Sequence, residues 1–200
     1  MNYLFSSPSL DDFIRLLRAW RFWALGGIIG MLIGAAVYFV APPPYRARAT
    51  VNVDFNLEQA LPLETDRQHF YYLEREARKM VELAWSDDVL AQLDYPLDEL
   101  RDGKLQLSQP AEAGWRFYAD DRDPQVAETL ASAWANAFVE KAQTEIEAGN
   151  LNEFIRLEVT QSAKLPKERS LPLGAFLLAG TSAFLLLAAF AVLFIKPKTK

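Results

Sequence analysis

Two long stretches without any charged side chain place the strongest constraint on this chain. Residues 22–45 (FWALGGIIGMLIGAAVYFVAPPPY) and residues 170–195 (SLPLGAFLLAGTSAFLLLAAFAVLFI) contain no Asp, Glu, Lys or Arg. Since roughly 20 apolar residues in a helix cross the hydrocarbon core of a bilayer, each stretch is long enough to span one. We therefore expect two transmembrane helices in contact with membrane lipid, and one soluble segment between them.

These stretches divide the chain into five predicted segments. Residues 1–21 form a lead, 22–41 a first transmembrane helix, 42–169 a soluble domain, 170–195 a second transmembrane helix and 196–200 a tail. The lead contains LDDFIRLLRAWRFW, a pattern typical of an amphipathic helix at a membrane surface. The first apolar run is longer than the core of a secretory signal, so we interpret it as an uncleaved anchor.

Charge is distributed unevenly along the chain. Residues 42–169 carry 15 Lys/Arg against 24 Asp/Glu, a net charge of −9, whereas the whole chain has −5. Such an acidic domain argues against nucleic acid as a partner. Six Lys/Arg flank the outer ends of the two apolar runs and five flank the inner ends, so the positive-inside rule leaves the orientation open.

A stripe of three glycines marks the first apolar run. Gly26, Gly30 and Gly34 recur every four residues and therefore lie on one side of a helix. Small residues at this spacing let a second helix approach closely, within one chain or between subunits. Glycine is also generally frequent in membrane helices, so the stripe is a candidate for helix packing or oligomer contact rather than an assigned site.

Hydrophobic periodicity predicts an α+β fold for the soluble domain. Ala47, Ala49 and Val51 alternate with polar residues and predict a first strand. Asp123 as N-cap and Pro124 as first helical residue begin one longer helix that ends near Ala148. The remaining predicted elements are a helix from about Thr65 to Ala84 with Thr65 and Gln68 as capping box, a short helix capped by Ser86, strands at 104–108 and 114–119, and a last strand at 154–163. We expect a mixed sheet near the membrane, in which the first and last strands pair.

The residues offer little catalytic chemistry. The chain has no cysteine and one histidine, His69, so neither a transition-metal centre nor a Ser-His-Asp triad is expected. The acidic run formed by Asp120, Asp121 and Asp123 is better explained by helix capping and solvation than by metal binding. We therefore expect no catalytic residues, no metal and no cofactor, and interpret the chain as a non-enzyme.

Several segments, taken in order, resemble the chain length determinant family, the Wzz-like polysaccharide co-polymerases of bacterial inner membranes. They are LDDFIRLLRAWRFW, PPPYRARATVNV, WSDDVLAQL, DRDPQVAETLASAWANAFVEKA and SAKLPKERSLPLG. The most specific part is the helix start at Asp123, Pro124 and Ala127 with Asn136 downstream, followed by Pro166 and Pro172 before the second apolar run. The chain looks like a compact member, because its soluble segment is short and it contains no GxxxxGK[ST] loop of the kinase-fused relatives.

This resemblance implies a function and a topology. It implies a non-catalytic protein that regulates the chain length of an O-antigen, capsule or exopolysaccharide, as a ring of identical subunits acting with a separate polymerase. Both termini would be cytoplasmic and the middle domain periplasmic or extracytoplasmic. The alternative is a membrane adaptor subunit that activates a cytoplasmic tyrosine kinase or a polysaccharide export complex. A two-span receptor is disfavoured, because the short terminal segments provide no output domain.

Overall fold

The structure, a computed structural model, describes residues 14, 17–60, 66–110 and 114–194. The chain divides into two compact units, one formed by residues at both ends of the chain and one comprising Pro44–Ser170. The described elements are α1 (Trp20–Val40), β1 (Tyr45–Asp54), α2 (Leu57–Ala60), α3 (Asp66–Ala84), α4 (Asp87–Leu90), α5 (Leu97–Glu99), β2 (Leu105–Ser108), β3 (Trp115–Asp121), α6 (Pro124–Glu147), β4 (Arg156–Gln161) and α7 (Leu173–Phe194).

The first unit is a pair of apolar helices, α1 and α7. Both are long and apolar enough to span a membrane, with mean hydropathies of 2.0 and 2.2. Most of their large apolar side chains are exposed, including Leu32 and Leu178, which in water would be unfavourable. The predicted lead helix and the tail lie largely outside the described residues.

The second unit is an α+β domain built on a four-stranded sheet with the strand order β2-β3-β1-β4. All three strand pairs are antiparallel, so the expectation of a mixed sheet was wrong. β2 and β3 are joined by a short connection, and such a connection permits only an antiparallel pair. The predicted pairing of the first and last strands is confirmed, since Val53 lies opposite Leu157.

The core of the domain lies between one face of this sheet and α6. Ala47, Ala49 and Val51 of β1 are buried, as the alternation predicts. From β3, Phe117 contacts Trp134 and Phe138 of α6, with ring centres 4.8 Å and 5.1 Å apart. These aromatic residues contribute large buried apolar areas, so the sheet and α6 are the two layers that stabilise the domain.

Helix α6 begins and ends where the sequence predicts. Asp123 Oδ1 accepts a hydrogen bond from the backbone N–H of Gln125 at 2.8 Å, and Pro124 needs no amide partner at the first helical position. The helix stops before Gly149, whose φ of 76° lies in the left-handed region that glycine adopts without strain.

The buried face of α3 follows its predicted apolar pattern only in part: Met80 and Ala84 are buried. The pattern comprises Phe70, Leu73, Ala77, Met80, Val81 and Ala84. Phe70, which shares the helical spacing of the apolar residues, is 63% exposed, whereas Tyr72 and Glu76 are buried. The Glu76 carboxylate accepts hydrogen bonds from Arg75 Nε at 2.9 Å and Lys79 Nζ at 3.2 Å, which compensate for its burial. The predicted capping residue Thr65 lies outside the described residues.

The start of α4 also departs from the expectation in one respect. Ser86 occupies the N-cap position, but its side chain makes no capping hydrogen bond and its Oγ is buried without a partner among the described residues. The helix is four residues long and is held by the buried side chains of Val89 and Leu90. Apolar packing therefore replaces capping as the source of its stability.

Candidate functional site

The glycine stripe of α1 lies against α7 of the same chain. Gly30 and Gly34 are buried. A Cβ built on Gly30 would lie less than 3.0 Å from the carbonyl oxygen of Gly180, and one on Gly34 equally close to that of Phe176. Gly26 is less tightly packed, since its Cβ would lie 3.2 Å from the Cβ of Ala188. The two backbones thus touch at Gly30 and Gly34, as small residues allow.

The sequence pattern did not predict the role of Gly180, the glycine of α7 that contacts the stripe. A Cβ on Gly180 would overlap the carbonyl oxygen of Gly30, so the contact is reciprocal. The only signal was the run of small residues Ala179, Gly180, Thr181 and Ser182 in the second apolar stretch. One glycine without a repeat does not define a helix face, so the periodicity seen in α1 was missing here.

The residues that carry the family resemblance do not converge on one site. Asp123 and Pro124 form the start of α6, and Ala127 is fully buried one turn later. Asn136 is exposed on the same helix, and Pro166 lies in the segment between β4 and α7. The carbonyl oxygen of Pro172 accepts a hydrogen bond from Ala175 at the start of α7. Asp123, Pro124, Pro166 and Pro172 lie at helix starts or in a connection, positions typical of structural residues, whereas Asn136 lies in the middle of α6.

The two ends of the domain lie side by side. Tyr45, the first residue of β1, forms an isolated antiparallel bridge with Arg169. The backbone N–H of Ser170 donates to the carbonyl of Pro44 at 2.9 Å, and the Arg169 guanidinium lies 4.7 Å from the Tyr45 ring centre. The chain therefore enters and leaves this domain at a single point.

The three aspartates before α6, Asp120, Asp121 and Asp123, each make a separate structural contact. Asp120 receives two hydrogen bonds from Arg46, at 2.7 Å and 2.6 Å, and Asp121 pairs with Lys104 Nζ at 2.5 Å. Burial by itself would raise the pKa of Asp121, but the backbone N–H of Asp123 and the Lys104 ammonium outweigh it and lower that pKa. Among the described residues, no group of three or more His, Cys, Asp or Glu could hold a metal ion.

The domain also contains a cleft whose described lining residues carry no titratable side chain. It has a volume of about 360 Å³ and lies between the end of β1 and α3. The residues that line it are Asn52, Val53, Phe55, Leu73, Ala77, Gln109, Pro110, Gly114 and Trp115. None of these described side chains supplies a nucleophile or a general acid or base.

A cationic surface lies on the sheet face opposite α6, and we call it the open sheet face. It is formed by side chains that alternate with the buried ones of β1 and β3. The strand register places Arg46 opposite Asp120, Arg48 opposite Tyr118 and Arg116 opposite Thr50. The Arg46 guanidinium also lies 5.6 Å from the Tyr118 ring centre.

Sequence patterns alone did not reveal this surface. The alternation of Arg46 and Arg48 with alanines predicts which side of β1 they share, and Arg116 and Tyr118 follow the same rule in β3. The two strands are separated by some sixty residues, so only the register brings the four side chains together.

No protein-family model matches this chain, and no curated protein matches it significantly.

Proposed function

We propose that this chain is a non-catalytic, two-span membrane protein that regulates the chain length of a surface polysaccharide. It acts as a homo-oligomer, a ring of identical subunits, together with a separate polymerase. The proposal rests on the ordered segments that resemble the chain length determinant family. The structural observation that carries it is the single point, at Tyr45 and Arg169, where the chain enters and leaves the domain. Such a domain suits a protein anchored by one span before it and one after it.

The same proposal assigns a location. Both termini lie in the cytoplasm of a bacterium, the two apolar helices cross its inner membrane, and the α+β domain lies outside. Lengths of 21 and 20 residues for the two apolar spans support the crossing. The family resemblance supports the orientation, which the Lys/Arg count leaves open.

A scaffold role is favoured over catalysis by the use of the polar side chains. Asp120 pairs with Arg46, Asp121 pairs with Lys104, and Asp123 caps a helix. Carboxylates held in ion pairs and caps stabilise a fold and are poor candidates for bases or nucleophiles. This supports a protein that organises other components.

The decisive experiment compares the size profile of the surface polysaccharide, on a gel, in a strain that lacks this chain and in the complemented strain. We expect polymer to be made in both, with an altered length distribution that complementation restores. Loss of all polymer would favour a subunit that activates a kinase or an export complex instead. An unchanged profile would remove length control as the function.

The oligomer is tested separately on the purified full-length chain. In a mild detergent, light scattering with the detergent mass subtracted should give a mass of several 22.6 kDa chains. A closed ring requires two different complementary surfaces on each subunit, repeated around an axis. A protein that stays monomeric at high concentration would contradict the ring.

A further inference from the structure

The open sheet face carries two arginines for which the described part of the chain provides no partner. Arg48 is exposed and Arg116 is partly exposed, and neither makes a hydrogen bond, ion pair or ring contact with any residue that the structure describes. Arg46, on the same face, is held by Asp120 in a bidentate pair. Among the described residues, none occupies the guanidinium groups of Arg48 and Arg116, so both can bind an anion.

The neighbours of these arginines do not neutralise them. By strand register and by spacing along each strand, the same-face neighbours of Arg48 are Arg46, Thr50 and Tyr118. Those of Arg116 are Thr50, Tyr118 and Ser108. None is acidic. Asp54 and Glu158 lie further along β1 and β4, where Arg156 is directly opposite Asp54.

The positive charge of the open sheet face contrasts with the net negative charge of the domain. Residues 42–169 have a net charge of −9, which would repel an anionic polymer from most of the surface. An uncompensated cationic area on an acidic domain localises an anionic ligand to that area. The positive charge of this face therefore determines where an anionic ligand binds, and it also attracts that ligand.

The chemistry of the face fits a sugar acid. A guanidinium fork binds a carboxylate through two parallel hydrogen bonds. Tyr118 is partly exposed beside Arg48 and Arg116. The Arg46 guanidinium lies 5.6 Å from the Tyr118 ring centre, so the C–H side of a sugar ring can pack against the part of the ring that Arg46 leaves open. Thr50, Gln106 and Ser108 add neutral hydrogen-bonding groups suited to sugar hydroxyls.

The size of the open sheet face favours a chain of sugars over a single lipid headgroup as its ligand. The polar side chains lie on three adjacent strands, β2, β3 and β1, which are spaced about 4.8 Å apart. A lipid phosphate would occupy one arginine cluster and leave the row of hydroxyl and amide groups unused. A chain of sugars laid across the strands would use both.

We propose that the open sheet face, centred on Arg48, Arg116 and Tyr118, binds an acidic polysaccharide. The sugar carboxylates pair with the two arginines, and a sugar ring packs on Tyr118. This inference rests on the proposed function, since it names the class of polymer whose length the protein regulates.

The test measures binding to the full-length chain in a neutral detergent by isothermal titration calorimetry. Oligogalacturonate and oligomannuronate are the acidic probes, and maltohexaose is the neutral one. The test variant is Arg48→Gln/Arg116→Gln. The control is Arg67→Gln/Arg78→Gln, which removes the same charge from the exposed side of α3.

We expect at least one acidic oligomer to bind and maltohexaose not to bind. The test variant should weaken binding about tenfold or more, since hydrogen bonds to charged groups are stronger than those between neutral groups. The control variant should leave the affinity unchanged. Both variants should keep the thermal midpoint of the parent, because all four arginines are at least partly exposed.

Three results would overturn the site. They are no binding of either acidic oligomer at millimolar concentration, equal binding of maltohexaose, and equal weakening by the test and control variants. A lipid site is a separate outcome: added phosphatidylglycerol would bind the parent chain but not the test variant in native mass spectrometry, while acidic sugars bind both equally. That result would also overturn the proposal.

The failure of this inference is distinguishable from the failure of the proposed function. If the deletion strain shows altered polymer length but the purified chain binds no acidic oligomer, only the site is wrong. If acidic oligomers bind through Arg48 and Arg116 but the deletion strain has an unchanged profile, the site stands and length control is wrong.

Discussion

Trp134 is the residue on which the core of the domain depends most. Its side chain is fully buried between β3 and α3, and its Nε1–H donates to the carbonyl oxygen of Ala84 at 2.8 Å. Trp134→Ala should lower the free energy of unfolding by about 3–5 kcal/mol, because it leaves a cavity and an unpaired buried carbonyl. Thermal unfolding of the full-length chain in detergent, followed by circular dichroism, checks this.

A matched change at an exposed aromatic residue gives the control for Trp134. Tyr71 is 54% exposed on α3, so Tyr71→Ala should change the free energy of unfolding by no more than about 0.5 kcal/mol. Equal melting temperatures for the Trp134 variant and the parent chain would contradict the assignment of Trp134 to the core.

Asp121 should give part of the stability of the domain a dependence on pH. Its folded-state pKa is lowered by the Asp123 amide and Lys104, so the unfolded state binds a proton more readily. The stabilisation is therefore fully present above the unfolded pKa and is lost as the pH falls below about 4, through the folded pKa. Asp121→Asn should lower the melting temperature at neutral pH and flatten its decline in acid.

Asp98, which is exposed, provides the comparison for Asp121. Asp98→Asn should keep both the neutral melting temperature and the full decline in acid. If the melting temperature of Asp121→Asn declined in acid as much as that of the parent chain, the pair of Asp121 with Lys104 would not be the cause of that decline.

Single residues were predictable where local chemistry determines them. Asp123 and Pro124 start α6 because a carboxylate cap and a proline suit the first turn whatever surrounds them. Glu76 was not predictable as a buried residue, since its burial depends on the positions of Arg75 and Lys79 side chains around it. Ser86 shows the same limit, because a hydroxyl in the N-cap position does not guarantee the capping bond.

At the level of elements, the contact between α1 and α7 makes a direct prediction. Gly30→Leu should separate the two helices, because even a Cβ at this position would overlap the Gly180 backbone. The chain has no cysteine, so a Gly27→Cys/Thr181→Cys pair can report the contact by oxidation. A Cβ on Gly27 would lie 3.8 Å from Thr181 Cγ2. We expect this pair to cross-link within one chain and Gly30→Leu to abolish the cross-link.

Gly174 is the control for that experiment. A Cβ there would meet nothing within 4 Å, so Gly174→Leu should leave the cross-link intact. Persistent cross-linking in the Gly30 variant would show that the helices do not need the close approach at this glycine.

For the sheet, the local pattern predicts the positions of the strands but not their relative directions. Alternation located β1, β2, β3 and β4 to within a few residues, because one face of each strand is less exposed than the other, although no residue within β4 is fully buried. The expectation of a mixed sheet was wrong, because β1 pairs antiparallel with both β3 and β4, and β2 pairs antiparallel with β3. The direction of β3 beside β1 depends on a connection of some sixty residues, which no local pattern determines.

For the whole molecule, the arrangement of charge follows from the same register. The domain is acidic in sum, yet Arg46, Arg48 and Arg116 gather on one face because β1 and β3 are neighbours. The composition predicts the net negative charge of the domain, but only the tertiary fold shows that these three arginines lie on one face. A functional surface made of ordinary exposed arginines from distant strands leaves no local motif in the sequence.

The proposed topology makes the final prediction, which concerns the two sides of α1. Arg18 precedes this apolar helix in the chain, and Asn136 is an exposed residue of the domain that follows it. In a chain without native cysteine, Asn136→Cys should react with a membrane-impermeant maleimide in spheroplasts, whereas Arg18→Cys should react only after permeabilisation. Trp134→Cys, buried in the same helix as Asn136, should stay unlabelled until the protein is denatured. Labelling of Arg18→Cys alone would invert the orientation, and a domain on the cytoplasmic side could not meet a polymer that grows outside. Labelling of both in sealed spheroplasts would mean that the first apolar helix does not cross the membrane.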